Sequence, residues 1–142
     1  MNTCLLDTGP LVAYLNARDP AHDLSTRALD RFTGQFITTS AVVTEAMFFA
    51  ICDARGPGQL LDFIESSQTK VFDCCQPNEL KGAVKLMQKY ADTPMDFADA
   101  TLVLLGDALR QNHICTLDRR GFSTYRTATG KRFNLVLEDI TT

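Results

Sequence analysis

The sequence lacks a long hydrophobic run, a framework of paired cysteines and a cluster of histidines. No segment approaches the roughly 18 consecutive apolar residues that a membrane-spanning helix requires, so no membrane span is predicted. The cysteines number five, and no two of them have C-x-x-C spacing, which argues against a disulfide framework. The two histidines, His22 and His113, lie far apart in sequence, which argues against a His-rich zinc site.

The first seven residues do not have the features of a secretory signal. They contain no basic residue, and their short apolar run ends at Asp7. Together with the odd number of cysteines, this predicts a protein of the reducing cytoplasm.

Positive charge is not in excess either. The chain has 14 Lys and Arg against 17 Asp and Glu, and this mild acidity argues against bulk electrostatic binding of nucleic acid. A hydrophobic fraction of 45% excludes disordered and collagen-like chains. The length of 142 residues predicts one domain, residues 1–142, with a core that needs no disulfide or metal.

Short apolar segments alternate with helical ones along the chain. The pattern predicts an α/β protein with a mostly parallel central sheet and helices on both faces. We expect Gly56-Pro57-Gly58 to break the chain before a helix, and Thr93-Pro94 to start a helix that ends near residue 112. The predicted strands cover about residues 3–6, 36–39, 70–74, 113–117 and 133–137.

Two acids follow predicted strands directly. Asp7 ends the apolar run Cys4-Leu5-Leu6, and Asp118 ends the run from Ile114 to Leu117. Both therefore fall at the carboxyl ends of parallel strands, the edge where open α/β sheets bind ligands. The alternative is that each is an ordinary turn acid or helix cap.

Three further acids lie on predicted helices. Glu45 projects from an apolar stripe, which is costly unless a cation compensates or the stripe is only partly buried. Asp96 fits a capping box that begins at Thr93, so the fold alone explains it. Asp99 precedes an apolar run and has no such explanation, and we expect it to be the functional acid of the two.

Several carboxylates that converge would raise one another's pKa, and a divalent cation would relieve that repulsion. Ligands that are all oxygen suit Mg²⁺ or Mn²⁺ rather than zinc. Such a site is suited to phosphodiester hydrolysis. The spacing of the acids does not by itself establish that they converge. The candidate ligands are Asp7, Glu45, Asp99 and Asp118.

Four segments resemble the PIN-domain nucleases, and within that family the single-domain VapC-type toxins. The resemblance covers essentially the whole chain, and the motifs occur in the family's order and at its spacing. The segments are Leu5 to Ala13, Thr44-Glu45-Ala46, Asp96 to Ala100 and Thr116 to Phe122.

The resemblance implies a three-layer α/β/α sandwich and a Mg²⁺- or Mn²⁺-dependent ribonuclease site formed by Asp7, Glu45, Asp99 and Asp118. It also implies that Thr8 and Thr116 are accessory hydroxyls of the site. From the residues alone, Asp96 either has a purely structural role or supports the ligands from outside the ligand set. Many members of the family carry Ser or Asn where this chain has Gly9. A toxin of this class would be neutralised by an antitoxin and would commonly form a homodimer.

A basic segment begins immediately after Asp118. Residues 119–132 hold five cations and no acid, whereas the rest of the chain holds nine cations and all 17 acids. Such cations would bind RNA phosphates without sequence preference. Phe122 and Tyr125 either stack on bases or pack into the core, and we expect core packing for Phe122. The five cations are Arg119, Arg120, Arg126, Lys131 and Arg132.

Other interpretations remain open. A PIN-like module that binds RNA or protein without catalysis would keep the fold but lose metal affinity. A phosphoaccepting receiver domain would need an acidic pair after its first strand, where this chain has Thr8-Gly9. Within the nucleases, a solitary housekeeping enzyme competes with a toxin. Phe48 and Phe49 belong either to a partner surface or to the core.

Overall fold

The computed structural model describes residues 2–137, and within that range five strands and seven helices are present. The strands are β1 Asn2–Leu6, β2 Gly34–Thr39, β3 Lys70–Phe72, β4 His113–Cys115 and β5 Asn134–Leu135. The helices are α1 Thr8–Leu15, α2 His22–Arg31, α3 Ser40–Ala50, α4 Gly56–Ser67, α5 Pro77–Lys89, α6 Phe97–Leu109 and α7 Arg119–Thr124.

The five strands form one sheet in the order β3-β2-β1-β4-β5, and every pair is parallel. The central strand β1 pairs with β2 on one side, where Leu5 lies opposite Ile37, and with β4 on the other, where Leu5 lies opposite Ile114. The strand order reverses between β1 and β4, and such a switch point opens a crevice at the carboxyl ends of the strands. The predicted α/β class with a parallel sheet is confirmed.

Helices cover both faces of the sheet, because successive side chains of a strand point to opposite faces. Leu5 packs with residues of α5 and α6, among them Ala83 and Leu102. Its neighbours Cys4 and Leu6 pack instead with residues of α1, α2 and α4. The result is a three-layer sandwich with two hydrophobic cores, one on each side of β1.

Three details of the predicted secondary structure are wrong. Gly56-Pro57-Gly58 does not break the chain but forms the first turn of α4, where a proline loses no hydrogen bond. Glycine is required at Gly56 because a Cβ atom would collide with the carbonyl oxygen of Ala50. The sixth helix starts at Phe97 rather than at Pro94. Helix α7 was not predicted.

Within residues 2–137, no helix is both long enough and apolar enough to cross a membrane.

Candidate active site at the carboxyl edge of the sheet

Asp7 leaves β1 at the switch point and caps α1. Its Oδ1 accepts a hydrogen bond from the Thr8 N–H at 2.8 Å, and its Oδ2 accepts one from the Thr116 hydroxyl at 2.7 Å. Only 7% of Asp7 is exposed. Burial raises its pKa to about 6, because the two hydrogen bonds only partly offset burial and the repulsion from Asp96 and Glu45.

Asp118 lies on the other side of the switch point, after β4, and caps α7. Its Oδ1 accepts a hydrogen bond from the Gly121 N–H at 2.9 Å. Its own N–H donates to the Thr116 hydroxyl at 3.0 Å, and that hydroxyl in turn donates to Asp7. Thr116 thus links the two strand-end acids in one hydrogen-bonded chain.

Asp96 and Asp99 form a reciprocal capping box at the start of α6. The Asp99 N–H donates to Asp96 Oδ1 at 2.8 Å, and the Asp96 N–H donates to Asp99 Oδ2 at 3.2 Å. The predicted box beginning at Thr93 is therefore wrong by three residues. Asp99 does have a structural role, contrary to the expectation from sequence, because it is the acid that closes the box.

Asp99 is nevertheless in an unusual environment for a capping acid, since only 8% of it is exposed. Burial is the main cause that raises its pKa to about 8, and repulsion from Asp7, Asp96 and Asp118 adds to it. Every charged side chain found to perturb Asp99 is another carboxylate. The structure therefore brings Asp99 to the two strand-end acids.

Glu45 lies on α3 and is half-buried. Burial and the nearby Asp96 raise its pKa, whereas the Thr8 hydroxyl lowers it. That hydroxyl is itself buried and has no partner at hydrogen-bonding geometry among residues 2–137. A buried hydroxyl without a partner beside a carboxylate is where an ordered water or the hydration shell of a cation would satisfy both groups.

The four predicted acids are thus electrostatically coupled, and Asp96 belongs to the same cluster. In the described part of the chain, however, no three His, Cys, Asp or Glu side chains lie close enough to enclose a metal ion. The roles of these acids as metal ligands stay predictions, as does the accessory role of Thr8 and Thr116.

Two threonines that sequence reasoning missed join the helices carrying Glu45 and Asp99. Thr39 caps α3 by accepting from the Val42 N–H at 3.4 Å, and its hydroxyl lies 2.8 Å from that of Thr101 on α6. The Thr101 hydroxyl donates to a carbonyl of α6 at 2.7 Å, so Thr39 must be the donor between the two hydroxyls. Both threonines are fully buried. No feature of the sequence pairs them, since they are 62 residues apart.

The basic segment is mostly exposed. Arg119 and Arg120 lie on α7, and Lys131 and Arg132 follow a tight turn at Gly130. Arg126 differs, because its Nη1 donates to the carbonyl oxygens of residues 123–125 at 2.8, 2.8 and 3.0 Å and so caps the end of α7. The RNA-binding role of all five cations stays a prediction.

The two aromatic residues of this segment do not face solvent. Phe122 and Tyr125 are both fully buried, with ring centroids 5.1 Å apart, and the Tyr125 hydroxyl donates to the Pro94 carbonyl at 2.8 Å. The suggestion that they stack on bases is wrong, and the core packing expected for Phe122 is confirmed. By contrast, Phe48 is 68% exposed, which favours the partner-surface interpretation over the core.

Gly9 is the second residue of α1, and a side chain there would be crowded. A Cβ atom at this position would lie 3.3 Å from Leu117 Cδ1. A serine or asparagine at this position would therefore require Leu117, in the β4–α7 connection, to shift.

Comparison with known proteins found similarities of sequence and of structure, while no family model matches the chain. The chain is 29% identical over 134 residues to Ribonuclease VapC26 of Mycobacterium tuberculosis, which covers 93% of this chain and 98% of that protein. Its fold matches the crystal structure of Mycobacterium tuberculosis VapC20, a sarcin–ricin loop cleaving toxin, with a TM-score of 0.74. That match covers 83% of this chain and 91% of VapC20 at 18% identity, which establishes the fold alone.

The parallel sheet, the acids at its switch point and the match to VapC20 define a PIN-like α/β fold. The similarity to VapC26 along nearly the whole length of the chain, together with this fold, supports a PIN-domain protein of the VapC type.

Proposed function

We propose that the protein is a Mg²⁺- or Mn²⁺-dependent endoribonuclease, that it is the toxin of a toxin–antitoxin pair, and that it acts in the cytoplasm as a single PIN domain. The observation that carries the proposal is the coupling of Asp7, Asp99 and Asp118, which come from three separate elements, at the switch point of the sheet. The similarity to a ribonuclease, VapC26, and the fold shared with an RNA-cleaving toxin, VapC20, support it.

The chemistry of the donor set fits a hard divalent cation. The candidate ligands Asp7, Asp99 and Asp118, with Glu45, offer only carboxylate oxygens, which Mg²⁺ and Mn²⁺ prefer. The raised pKa of Asp99 and the unpartnered Thr8 hydroxyl are what such a cation and its waters would relieve. A bound cation would supply Lewis-acid activation of water and neutralise charge on the scissile phosphate.

The protein's own groups have separable roles in this reaction. Asp7 is held in one orientation by the Thr8 N–H and the Thr116 hydroxyl, so it is a pre-organised ligand. Glu45 is half-exposed and has a raised pKa, which suits its carboxylate to orient an attacking water and accept its proton. The exposed cations at 119, 120, 131 and 132 would hold the RNA backbone against the repulsion of the acids.

Partner binding would use a different surface. Phe48, Phe49 and Ile51 near the end of α3 are 68%, 48% and 65% exposed, an apolar patch suited to an antitoxin or to a second copy in a homodimer.

The test is a cleavage assay on total RNA with Mg²⁺, with Mn²⁺ and with EDTA, followed by mapping of the ends. We expect cleavage with metal only, with loss of activity in Asp7→Asn and no loss in Asp62→Asn, an exposed acid on α4. Equal cleavage in EDTA would contradict the metal dependence. Absence of cleavage with either metal would contradict the ribonuclease function and favour a binding module.

The toxin assignment has a test of its own. Expression of the wild-type protein should arrest growth of the host cell, and co-expression of the adjacent reading frame should restore growth and yield a complex of the two proteins. Growth unaffected by the active enzyme would favour a solitary ribonuclease.

A further inference from the structure

The carboxylate of Asp118 lies directly over a glycine. Gly121 is the third residue of α7, and its N–H donates to Asp118 Oδ1 at 2.9 Å. A Cβ atom at Gly121 would collide with Asp118 Oδ2 and would lie 2.9 Å from its Cγ. Any side chain at this position therefore excludes the orientation that Asp118 has in the structure.

The glycine is not needed for the backbone of α7. Among the described glycines, only Gly130 has a positive φ angle, so Gly121 has a conformation that alanine adopts and ordinarily favours in helices. What distinguishes the site is the space above the Cα atom, which the acid occupies.

Asp118 is also connected to the rest of the cluster through its backbone. Its N–H donates to the Thr116 hydroxyl, and that hydroxyl donates to Asp7. The orientation of the Asp118 carboxylate is thus set from two sides, by Gly121 on the carboxylate and by Thr116 on the backbone amide.

We propose that Gly121 is a positioning residue of the candidate active site, whose missing side chain lets Asp118 turn its carboxylate back onto the start of α7 within the acidic cluster. The catalytic consequence rests on the proposed function, but the placement of Asp118 by Gly121 does not. A Cβ atom at Gly121 would also lie 3.0 Å from Tyr125 Cε2. A test must therefore distinguish crowding against Tyr125 from the effect on Asp118.

A double-mutant cycle makes this separation. Wild type, Gly121→Ala, Asp118→Ala and the double variant are melted in EDTA. Crowding against Tyr125 and the helix preference for alanine are the same with and without Asp118, so they cancel. We compare the shift in melting temperature that Gly121→Ala causes in two backgrounds. We expect this shift to be about 3–6 °C more destabilising in the protein that keeps Asp118 than in the Asp118→Ala variant.

Gly58→Ala is the matched control. Gly58 is also the third residue of its helix, α4, and a Cβ atom there would have no neighbour within 4 Å. This variant should melt at or above the wild-type temperature, cleave RNA normally and show no coupling to Asp118.

The second readout is the Mn²⁺ concentration that gives half of the metal-induced rise in melting temperature. We expect Gly121→Ala to raise it about tenfold, Asp118→Ala to raise it at least as much, and the double variant to resemble Asp118→Ala. RNA cleavage should fall in parallel. A further loss on adding Gly121→Ala to Asp118→Ala would overturn the proposal, as would an unchanged Mn²⁺ midpoint in Gly121→Ala.

Zero coupling in EDTA would also overturn it. If Gly121→Ala alone fails to fold while the double variant folds, the coupling is large and the proposal holds. If neither folds, crowding at Tyr125 is sufficient by itself and the proposal fails. A wild-type protein that neither responds to Mn²⁺ nor cleaves RNA would contradict the proposed function, while the cycle in EDTA would still decide whether Gly121 sets the orientation of Asp118.

Discussion

The acidic cluster and the basic segment 119–132 meet at Asp118, yet the two are held in place differently. The four aspartates of the cluster are short and are fixed at strand ends or helix caps, whereas Glu45 lies half-buried on a helix face. Asp7 and Asp118 are further tied together through Thr116. In the basic segment, by contrast, the Arg126 guanidinium is fixed by neighbouring carbonyl groups, whereas the other four cations are exposed.

This difference indicates that the acidic cluster sets the geometry of the site, whereas the basic segment supplies affinity for RNA. Repulsion among the acids and the burial of Asp7 and Asp99 lower the stability of the protein, but the fold holds these short side chains in fixed positions. Exposed cations on long, flexible side chains cost little stability and do not fix the position of a substrate, but they attract RNA phosphates over a distance. Substitutions in the first region should therefore change catalysis and stability, and those in the second should change RNA affinity and its salt dependence.

The largest effect is expected at Asp99. Loss of a group that only supports a metal ligand commonly costs about 10–100-fold, so Asp99→Asn should lower cleavage by on the order of 100-fold or more. The same change should raise the free energy of unfolding in EDTA at pH 8, because a neutral amide is not penalised by burial among acids. The asparagine oxygen can still accept from the Asp96 N–H, so the capping box stays intact.

Cleavage and urea denaturation measured on the same preparation check both results. Asp62→Asn is the control, since this exposed acid of α4 should change neither. If Asp99→Asn lost activity and stability together, the acid would be structural and the proposed division between the regions would fail.

The stability of the metal-free protein should depend on pH in the direction set by the raised pKa values of the cluster. A carboxyl group whose pKa is raised on folding contributes stability that is fully present below its unfolded pKa of 3.8 and is lost as the pH rises through its folded pKa. For Asp7 that folded pKa is about 6, a shift worth about 3 kcal/mol, and for Asp99 it is about 8.

Urea unfolding in EDTA at pH 5, 7 and 8.5 measures this dependence. The free energy of unfolding should fall as the pH rises, and Mg²⁺ should restore it at the higher values by binding the ionised acids. Asp7→Asn should flatten the curve in EDTA, whereas Arg120→Gln should leave its shape unchanged. A curve with the same slope in Asp7→Asn as in wild type would show that Asp7 is not the group responsible.

The features of the site that the sequence predicts are those marked by patterns that extend over whole strands or helices. The sequence indicates Asp7 and Asp118 as candidates because parallel strands end at a common edge, and Glu45 because it interrupts an apolar stripe. These signals depend on hydrophobic periodicity, which extends over whole elements. The strand order, and with it the switch point between β1 and β4, required the structure.

Features that depend on the backbone conformation of a single residue, such as the exact start of a helix, are predicted less accurately from the sequence. Thr93-Pro94 and Asp96-Phe97 both look like helix starts, and only the extended conformation of Asp96 decides between them. Helix α7 has six residues and no apolar period that could reveal it. The contacts Thr39–Thr101 and Gly121–Asp118 depend on distances in the folded protein, the first between two side chains and the second between a carboxylate and the Cα atom of a glycine. A single sequence does not contain these distances.

A smaller effect is expected from the buried threonine pair. Thr101→Val keeps the shape of the side chain but leaves the buried Thr39 hydroxyl without an acceptor, which should cost about 1–3 kcal/mol of stability. Because the pair joins α3 to α6, the Mn²⁺ midpoint should also rise. Thr101→Ser keeps the hydroxyl and should restore the metal response, while RNA affinity in EDTA should be the same in all three proteins. Equal metal responses of the valine and serine variants would mean that the pair does not position the acids.

The smallest effects are expected in the basic segment, and here the structure distinguishes two arginines. Arg120 is exposed on α7, so Arg120→Gln should weaken RNA binding in EDTA and lower the slope of log affinity against log salt by about 0.7. Arg126 uses its guanidinium to cap α7, so Arg126→Gln should lower the melting temperature more and the salt slope less. Lys85→Gln, an exposed cation of α5, is the control for net charge. Fluorescence anisotropy of a labelled RNA across a salt series measures the slopes.

If all three substitutions lowered the slope equally, RNA would respond to the total charge of the protein and not to a basic segment placed beside the acids. If Arg120→Gln instead moved the Mn²⁺ midpoint, affinity and geometry would not be separate properties of the two regions.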